Sequence, residues 1–353
     1  MTDWTLEPCE TRVAALSEIS AERRAALRDG PDDFATYRAA LETTPALREV
    51  ETGGPQPQAE GARGSLRVVA WNIERLRHLD DTANTLTAAG ADVCLLTEID
   101  KGMARTGNGH RTAELAIRIG QGYGYGAEFV ELDRGTPSER ATHGDTPNAL
   151  GFHGNAILSR LRLERPALLR LEAEGTWFGW ARDEPRLGGR LAIAGQVRLD
   201  GVAVTCVGVH LESHSDPDHR AGQVVHLLHL IDRYDPTAPV VIGGDFNTST
   251  YRRANAGFQQ PDRSDPMRPV RVEPFEPLFA RMFDAGYDWH ACNVPDVATQ
   301  RFAQEETKRI PHKLDWMFTR GLTATDPMIL PALCANGAPS SDHDALSIVL
   351  SLT

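Results

Sequence analysis

Short apolar runs bounded by polar or turn residues recur along most of this chain, and their lengths suit strands better than helices. Leu66 to Ala70 reads as one such strand. Asp92 to Thr97 (DVCLLT) is continuously apolar in its centre and reads as a strand buried on both faces. Ala156 to Ser159, Leu191 to Leu199, Val202 to Leu211, Val240 to Ile242, Leu314 to Phe318 and Ala345 to Leu350 continue the series. Asp200-Gly201 separates two of these runs by a two-residue turn, which predicts a hairpin. Helical periodicity interrupts the strands at three places. Asp80 or Asp81 can cap a helix that stops at Gly90, and Arg111 to Ile119 and Gln223 to Ile231 carry apolar residues at helical spacing. Strands interspersed with helices and hairpins predict an α/β architecture with large mixed sheets.

The first part of the chain has a different texture. Residues 5 to 48 read as polar and helical, with Val13, Leu16, Ile19 and Leu27 on one face and a break at Gly30-Pro31. A second short helix is predicted between Asp33 and Leu47. Thr52 to Gly64 is rich in Gly, Pro, Gln and Ala and reads as a linker. The expected division is therefore a helical N-terminal extension and linker over 1–64, followed by the main domain over 65–353.

Composition narrows the function classes. At 353 residues and 41% hydrophobic, the chain can bury one large core plus an appendage. The formal net charge of −12 argues against a surface that tracks a long polyanion. Five cysteines with no CxxC spacing suggest neither a disulfide framework nor a zinc finger, and Cys94 and Cys206 sit in apolar runs as small buried hydrophobes. No run approaches the ~18 apolar residues of a membrane span. The N-terminus lacks the basic-then-apolar layout of a signal peptide, so a soluble, cytoplasmic protein is expected.

Candidate chemistry gathers where strands end. Asn72 and Glu74 follow the first strand, Glu98 the second, and His210 closes the run that begins at Val202. Asp245 and Asn247 follow Val240–Gly244, Asp315 lies within Lys313–Phe318, and Asp342-His343 precedes the final strand. In layered α/β folds a rigid sheet aims strand-end side chains into a common crevice. Carboxylate and amide oxygens suit a hard divalent cation, Mg2+ or Mn2+. A carboxylate can take a proton from water, and a histidine fixed by a carboxylate can donate to developing charge.

These positions fall within WNIE, LLTEID, GNAILSR, VGVHL, GGDFN, LDWMF and SDHDAL, in that order. The series resembles the endonuclease/exonuclease/phosphatase superfamily of DNase I-like metal-dependent phosphoesterases, over residues ~66 to 353. The resemblance implies a fold of two packed mixed β-sheets flanked by helices, a four-layer sandwich with the site at one edge. It implies metal contact from Glu98, metal or phosphate contact from Asn72, with Glu74 as a second acidic metal ligand and Asp342 beside them. It implies phosphate contact by His210, water activation by Asp245, and support of the transition state by Asn247. His343 would act as phosphate contact or as general acid or base, oriented by Asp315, and Asn155 would supply a supporting amide. Arg220 and Gln223 would brace this edge of the sandwich.

The loop Lys101 to Arg111 follows Glu98 directly, so Arg105, Asn108, His110 and Arg111 are candidates for holding the rest of the substrate. Trp177, Phe178 and Trp180 either line a rim or pack. His210, Glu212, His214, Asp216 and His219 fit no familiar zinc spacing. Gly122 to Gly126 is not a dinucleotide loop, since no strand leads into it. The expected function is hydrolysis of a small-molecule or lipid-like phosphoester. An endonuclease with the same residues is the alternative, and a catalytically silent binding protein is a third reading.

Overall fold

The computed structural model describes residues 5–55, 60–179, 183–248, 252–253, 257–258, 267–302 and 310–353. One sheet runs in the order β1 (Arg12–Val13), β2 (Val50–Gly53), β6 (Gly122–Glu131), β7 (Phe152–Ser159), β5 (Val93–Lys101), β4 (Leu66–Arg75), β17 (Ala345–Leu352) and β16 (Leu322–Leu330). A further strand, β9 (Arg186–Gly188), pairs with β6. The second sheet runs β15 (Asp315–Arg320), β12 (Val240–Asp245), β11 (Val202–His210), β10 (Leu191–Leu199) and β3 (Gly61–Ala62), with β8 (Glu164–Arg170) paired to β10. Strands β13 (Arg252–Arg253) and β14 (Gly257–Phe258) pair only with each other. Both main sheets are mixed: β4–β5 and β11–β12 are parallel, whereas β5–β7 and β10–β11 are antiparallel.

Strand alternation explains the layering. In β4, Leu66, Val68 and Ala70 face Val197, Cys206, Val241 and Met317 of the other sheet. The intervening Val69, Trp71 and Ile73 face outward, against helices that include α1 (Ala21–Asp29), α2 (Phe34–Glu42), α3 (Leu79–Ala89) and α4 (Arg111–Ile119). Shorter helices α5 (Pro137–His143) and α6 (Thr176–Gly179) lie in the connections that follow β6 and β8. The outer face of the second sheet is covered by α7 (Pro217–Tyr234) and α8 (Leu278–Asp284), through Val224, Leu227, Leu278 and Met282. Both faces of the central strands are therefore buried, which is why their sequences read as apolar runs. The four-layer sandwich implied by the motifs is the observed fold.

Local signals held where the backbone alone decides. Helix α4 has the expected bounds, and α3 stops at Gly90 in the left-handed conformation. Asp200 and Gly201 both adopt positive φ, 49° and 81°, as a two-residue hairpin turn demands. Strands β4, β5 and β12 run further than predicted, through the polar residues at their ends. Gly122 to Gly126 begins a strand, β6.

In the first 64 residues, the break at Gly30-Pro31 and a second helix beginning after Asp33 are present, but the start of the segment is not helical. Val13 lies in a strand, and helix α1 begins only at Ala21. The amides of Leu16 and Ser17 donate to the carboxylates of Glu51 and Glu49, at 2.8 and 2.7 Å, so they are withdrawn from any helical ladder. This part of the chain adds β1 and β2 to one sheet and β3 to the other.

Candidate active site

Three neighbouring strands of the second sheet set out the polar residues in register. His210 on β11 pairs with Asp245 on β12, and Asp245 pairs with Asp315 on β15. All three are buried. From the first sheet, Asn72 reaches across: its Nδ2 donates to Glu98 Oε1 and to Asp245 Oδ2, at 3.0 Å each. The β4–β5 pairing slips between Asn72 and Arg75, and Glu98 holds a positive φ of 57°. Such bulges re-aim side chains at strand ends, and here one turns Glu98 toward Asn72.

The segment before β17 is clamped onto β4. Ser341 Oγ donates to the Asn72 carbonyl at 2.7 Å, and Trp71 Nε1 donates to the His343 carbonyl at 2.7 Å. This places His343 Nδ1 2.8 Å from Asp315 Oδ2 and His343 Nε2 3.8 Å from Asp245 Oδ2. Nε2 of His210 lies 3.6 Å from the same Asp245 oxygen. The other Asp245 oxygen accepts the Asn247 amide at 2.8 Å, so the Asx-type turn is present and still leaves Oδ2 facing the cluster. Asn247 Nδ2 donates to the Leu211 carbonyl.

Charge is unevenly distributed over these groups. Burial works against protonation of His343, but Asp315, Asp245 and Asp342 outweigh it and hold its pKa well above the ordinary value. Burial and Arg190 oppose protonation of His210, and Glu128 and Asp245 overcome them. Burial also opposes ionisation of Glu98, yet Arg75, His210 and His153 keep it well below the usual carboxylate range. Asp245 is pushed up by burial and by Asp315, against the pull of His343. Lost hydration raises Asp342, His343 lowers it, and Glu98 and Asp245 raise it further. Glu74 is raised by burial and by Asp342, against Arg77 and Arg75.

Glu74, Glu98, Asp342 and Asp245 thus crowd negative charge into one place. Oxygen donors in mutual repulsion fit a hard divalent cation, which would relieve that repulsion. Glu74 joins the group through its Oε2, which accepts the Asp342 amide at 3.2 Å. Asp245, Asp315 and His343 also bring ligand atoms within 4.8 Å of one another, but Nδ1 of His343 is already committed to Asp315. Asn155 lies opposite the Thr97–Glu98 bulge in the β5–β7 pairing. Its Nδ2 donates to the Leu191 carbonyl, while its buried Oδ1 has no partner among the described residues.

The loop residues proposed to hold substrate are placed otherwise. Arg105 has no exposed side-chain surface, and its five N–H groups point to Asp100, Glu131, Glu139 and Glu184. Asn108 donates to the Pro147 carbonyl and accepts from the Ala149 amide. His110 caps α4 through the Ala113 amide and pairs with Glu51. Arg111 pairs with Glu114 and donates to the Thr106 carbonyl. The contacts of these four side chains thus lie within the loop and its neighbours, although the buried Nε of Arg111 has no partner among the described residues. Trp177 and Phe178 are buried, with Trp177 Nε1 on Glu212, and Trp180 lies outside the described residues.

Further groups surround the cluster, and of these Glu128, Arg190 and Arg75 were not singled out from sequence. Glu128 Oε2 lies 3.2 Å from His210 Nδ1, and Arg190 contacts the same ring. Glu212 holds Arg190 at 3.1 Å, and its own amide donates to Gln223 Oε1. Arg220 is buried in an ion pair with Glu276. Arg75 bridges Glu98 at 3.4 Å and Glu139 at 2.8 Å, which ties Glu98 to the Arg105 network. An acid inside an apolar strand, as Glu128 is in β6, was the available signal.

A four-layer sandwich with this edge cluster of acids, amides and histidines defines the DNase I-like class of phosphoesterase folds. The chain belongs to the Endonuclease/Exonuclease/phosphatase family, matching it over residues 69–343. Members of that family are in general divalent-metal-dependent hydrolytic phosphoesterases and nucleases. The chain is similar in fold to an endonuclease/exonuclease/phosphatase from Beutenbergia cavernae, at 18% identity and a TM-score of 0.55, covering 82% of this chain and 72% of that one. It is also similar to the catalytic domain of human Nocturnin with bound sulfate, at 16% identity and a TM-score of 0.52, covering 86% and 97%. A family protein from Bacteroides vulgatus gives 13% identity and a TM-score of 0.51, covering 82% and 99%. No curated protein matches the sequence.

Proposed function

We propose that the protein hydrolyses a small-molecule or lipid-like phosphoester by in-line attack of water, with a divalent cation, Mg2+ or Mn2+, as cofactor. The observation that carries this reading is Asp245 Oδ2, which lies within 3.0 to 3.8 Å of Asn72, His210 and His343. One carboxylate oxygen meets an amide donor and two imidazoles whose pKa values are raised.

Roles follow from charge. Asp245 accepts a proton from the attacking water and aligns it. His210 and His343, protonated over a widened pH range, donate to the phosphoryl oxygens or to the leaving oxygen. Asp315 fixes the His343 tautomer, and Glu128 does the same for His210. Asn247 and Asn155 offer amide groups to the phosphate. Glu98, Asn72, Glu74 and Asp342 would hold the cation, which supplies Lewis-acid polarisation of the phosphoryl oxygens. Residues Glu98 and Asn72 are pre-positioned for this by their mutual hydrogen bond.

Among the described residues, the cations flanking the acidic cluster support a small substrate over a long polyanion. Arg75, Arg77 and Arg301 are each ion-paired, to Glu98 and Glu139, to Glu74 and Glu139, and to Asp344. A basic track along a nucleic-acid backbone needs free cations. Initial rates on bis-p-nitrophenyl phosphate, p-nitrophenyl phosphate, inositol and lipid phosphates, and single- and double-stranded DNA test the reading. Turnover of a small or lipid phosphoester above DNA is expected. DNA as the best substrate, with a steep salt dependence, would make the protein a nuclease instead.

A further inference from the structure

Helix α3 opens behind His78, yet the His78 side chain makes no capping hydrogen bond. Its Nδ1 lies 3.4 Å from Sγ of Cys334, in the connection between β16 and β17. Asp81, in the first turn of α3, completes the group. One ligand atom from each of His78, Asp81 and Cys334 lies within 4.8 Å of the other two. Cys334 is remote in sequence from His78 and Asp81, which are one helical turn apart, and none of the three belongs to the catalytic cluster.

We propose that His78, Asp81 and Cys334 form a second metal site, one that binds a zinc-class transition-metal ion through nitrogen, oxygen and sulfur. Zinc bonds of about 2.3 Å to sulfur and about 2.0 Å to nitrogen, at a tetrahedral angle, place the two donor atoms ~3.5 Å apart. The observed 3.4 Å between Sγ and Nδ1 agrees with this. The residue types separate the two sites chemically. The carboxylate-and-amide cluster suits a hard cation, whereas a thiolate with an imidazole selects zinc or its neighbours.

The loop around Cys334 is already shaped. The Cys334 amide donates to Ala338 and its carbonyl accepts from Gly337, at 2.8 Å each. Asp81 Oδ1 accepts the Ala335 amide at 3.0 Å, which orients the carboxylate and leaves its second oxygen for an ion. Three protein ligands leave a fourth position for water. On binding, the Cys334 thiol releases its proton to solvent as the sulfur–metal bond forms.

The site is built on segments that lead to or from the catalytic edge. His78 follows Glu74 on the chain, and the Cys334 loop leads into Asp342 and His343. Glu74 and the Asp342 amide are themselves joined. An ion on His78, Asp81 and Cys334 would therefore staple together the two segments that present Glu74, Asp342 and His343.

Cobalt substitution reads this site without relying on activity. The full chain, stripped with EDTA, is titrated with Co2+ and its absorption spectrum recorded. A thiolate-to-cobalt charge-transfer band in the near ultraviolet is expected to saturate at one equivalent and to vanish when Zn2+ is added. The band should be lost in Cys334→Ser and in His78→Ala and retained in Glu98→Gln, because the catalytic cluster contains no sulfur. A wild-type chain that gives no charge-transfer band under saturating Co2+ overturns the proposal, and so does a band that survives in Cys334→Ser.

Discussion

Nδ1 of His343 lies 2.8 Å from Oδ2 of Asp315, although Asp315 begins β15 of one sheet and His343 lies in the segment that leads into β17 of the other. The pair fixes the imidazole so that Nε2 faces Asp245, and its negative partner favours the imidazolium. The sign follows directly: a raised pKa keeps His343 protonated to higher pH. Asp315→Asn removes the strongest attraction and should lower that pKa. The alkaline limb of the kcat/KM–pH profile should then move to lower pH, with kcat reduced at neutrality. An unchanged alkaline limb would mean that another group sets it.

Asp245→Asn keeps the side-chain volume and the Asx-type turn but removes the proton acceptor. A loss of about 10² or more in kcat is expected, with KM little changed. Steady-state kinetics on the best phosphoester substrate measures both. Wild-type kcat in this variant would move the water-activating role elsewhere.

Arg105→Ala should act on stability and not on substrate affinity. The guanidinium balances Asp100, Glu131 and Glu139 in a site with no solvent access to the arginine. Removing one partner of a buried ionic group costs roughly 3–5 kcal/mol, because the remaining charges are left uncompensated. Urea unfolding should show a lowered midpoint, while any folded enzyme keeps its KM. A variant of normal stability and raised KM would restore Arg105 to the substrate site.

Gly244 carries a φ of 146°, and a Cβ there would meet the Val209 carbonyl oxygen at 2.1 Å. Because β11 pairs with β12 at this point, Gly244→Ala should disturb the His210–Asp245 register. Loss of activity with a lowered melting temperature is the expected pattern. Full activity at unchanged stability would show that the strand end tolerates displacement.

Legibility differed by physical cause. The apolar runs were visible because β4, β5 and β11 are buried on both faces, and Gly90 and Asp200-Gly201 carry their backbone conformations in their residue types. The residues expected to cooperate at strand ends do converge: Asn72, Glu98, His210, Asp245, Asp315 and His343 are joined by contacts of 2.8 to 3.8 Å. What failed depended on partners remote in sequence. Arg105 reads as an exposed loop cation until Glu131, Glu139 and Glu184 fold around it. Leu16 and Ile19 read as helical until Glu49 and Glu51 take neighbouring amides. Glu128 and Arg190 escaped notice for the same reason, since only the sheet pairing brings them to His210.

Metal dependence tests the central claim most directly. Hydrolysis of bis-p-nitrophenyl phosphate is followed for the wild-type chain and for Glu98→Gln, first in EDTA and then across a titration of Mg2+ or Mn2+. Wild-type turnover should vanish in EDTA and return with the metal, and Glu98→Gln should need much more metal or remain inactive. Turnover that resists EDTA, or a Glu98→Gln variant with the wild-type metal requirement, would contradict a metal-dependent phosphoesterase built on this cluster.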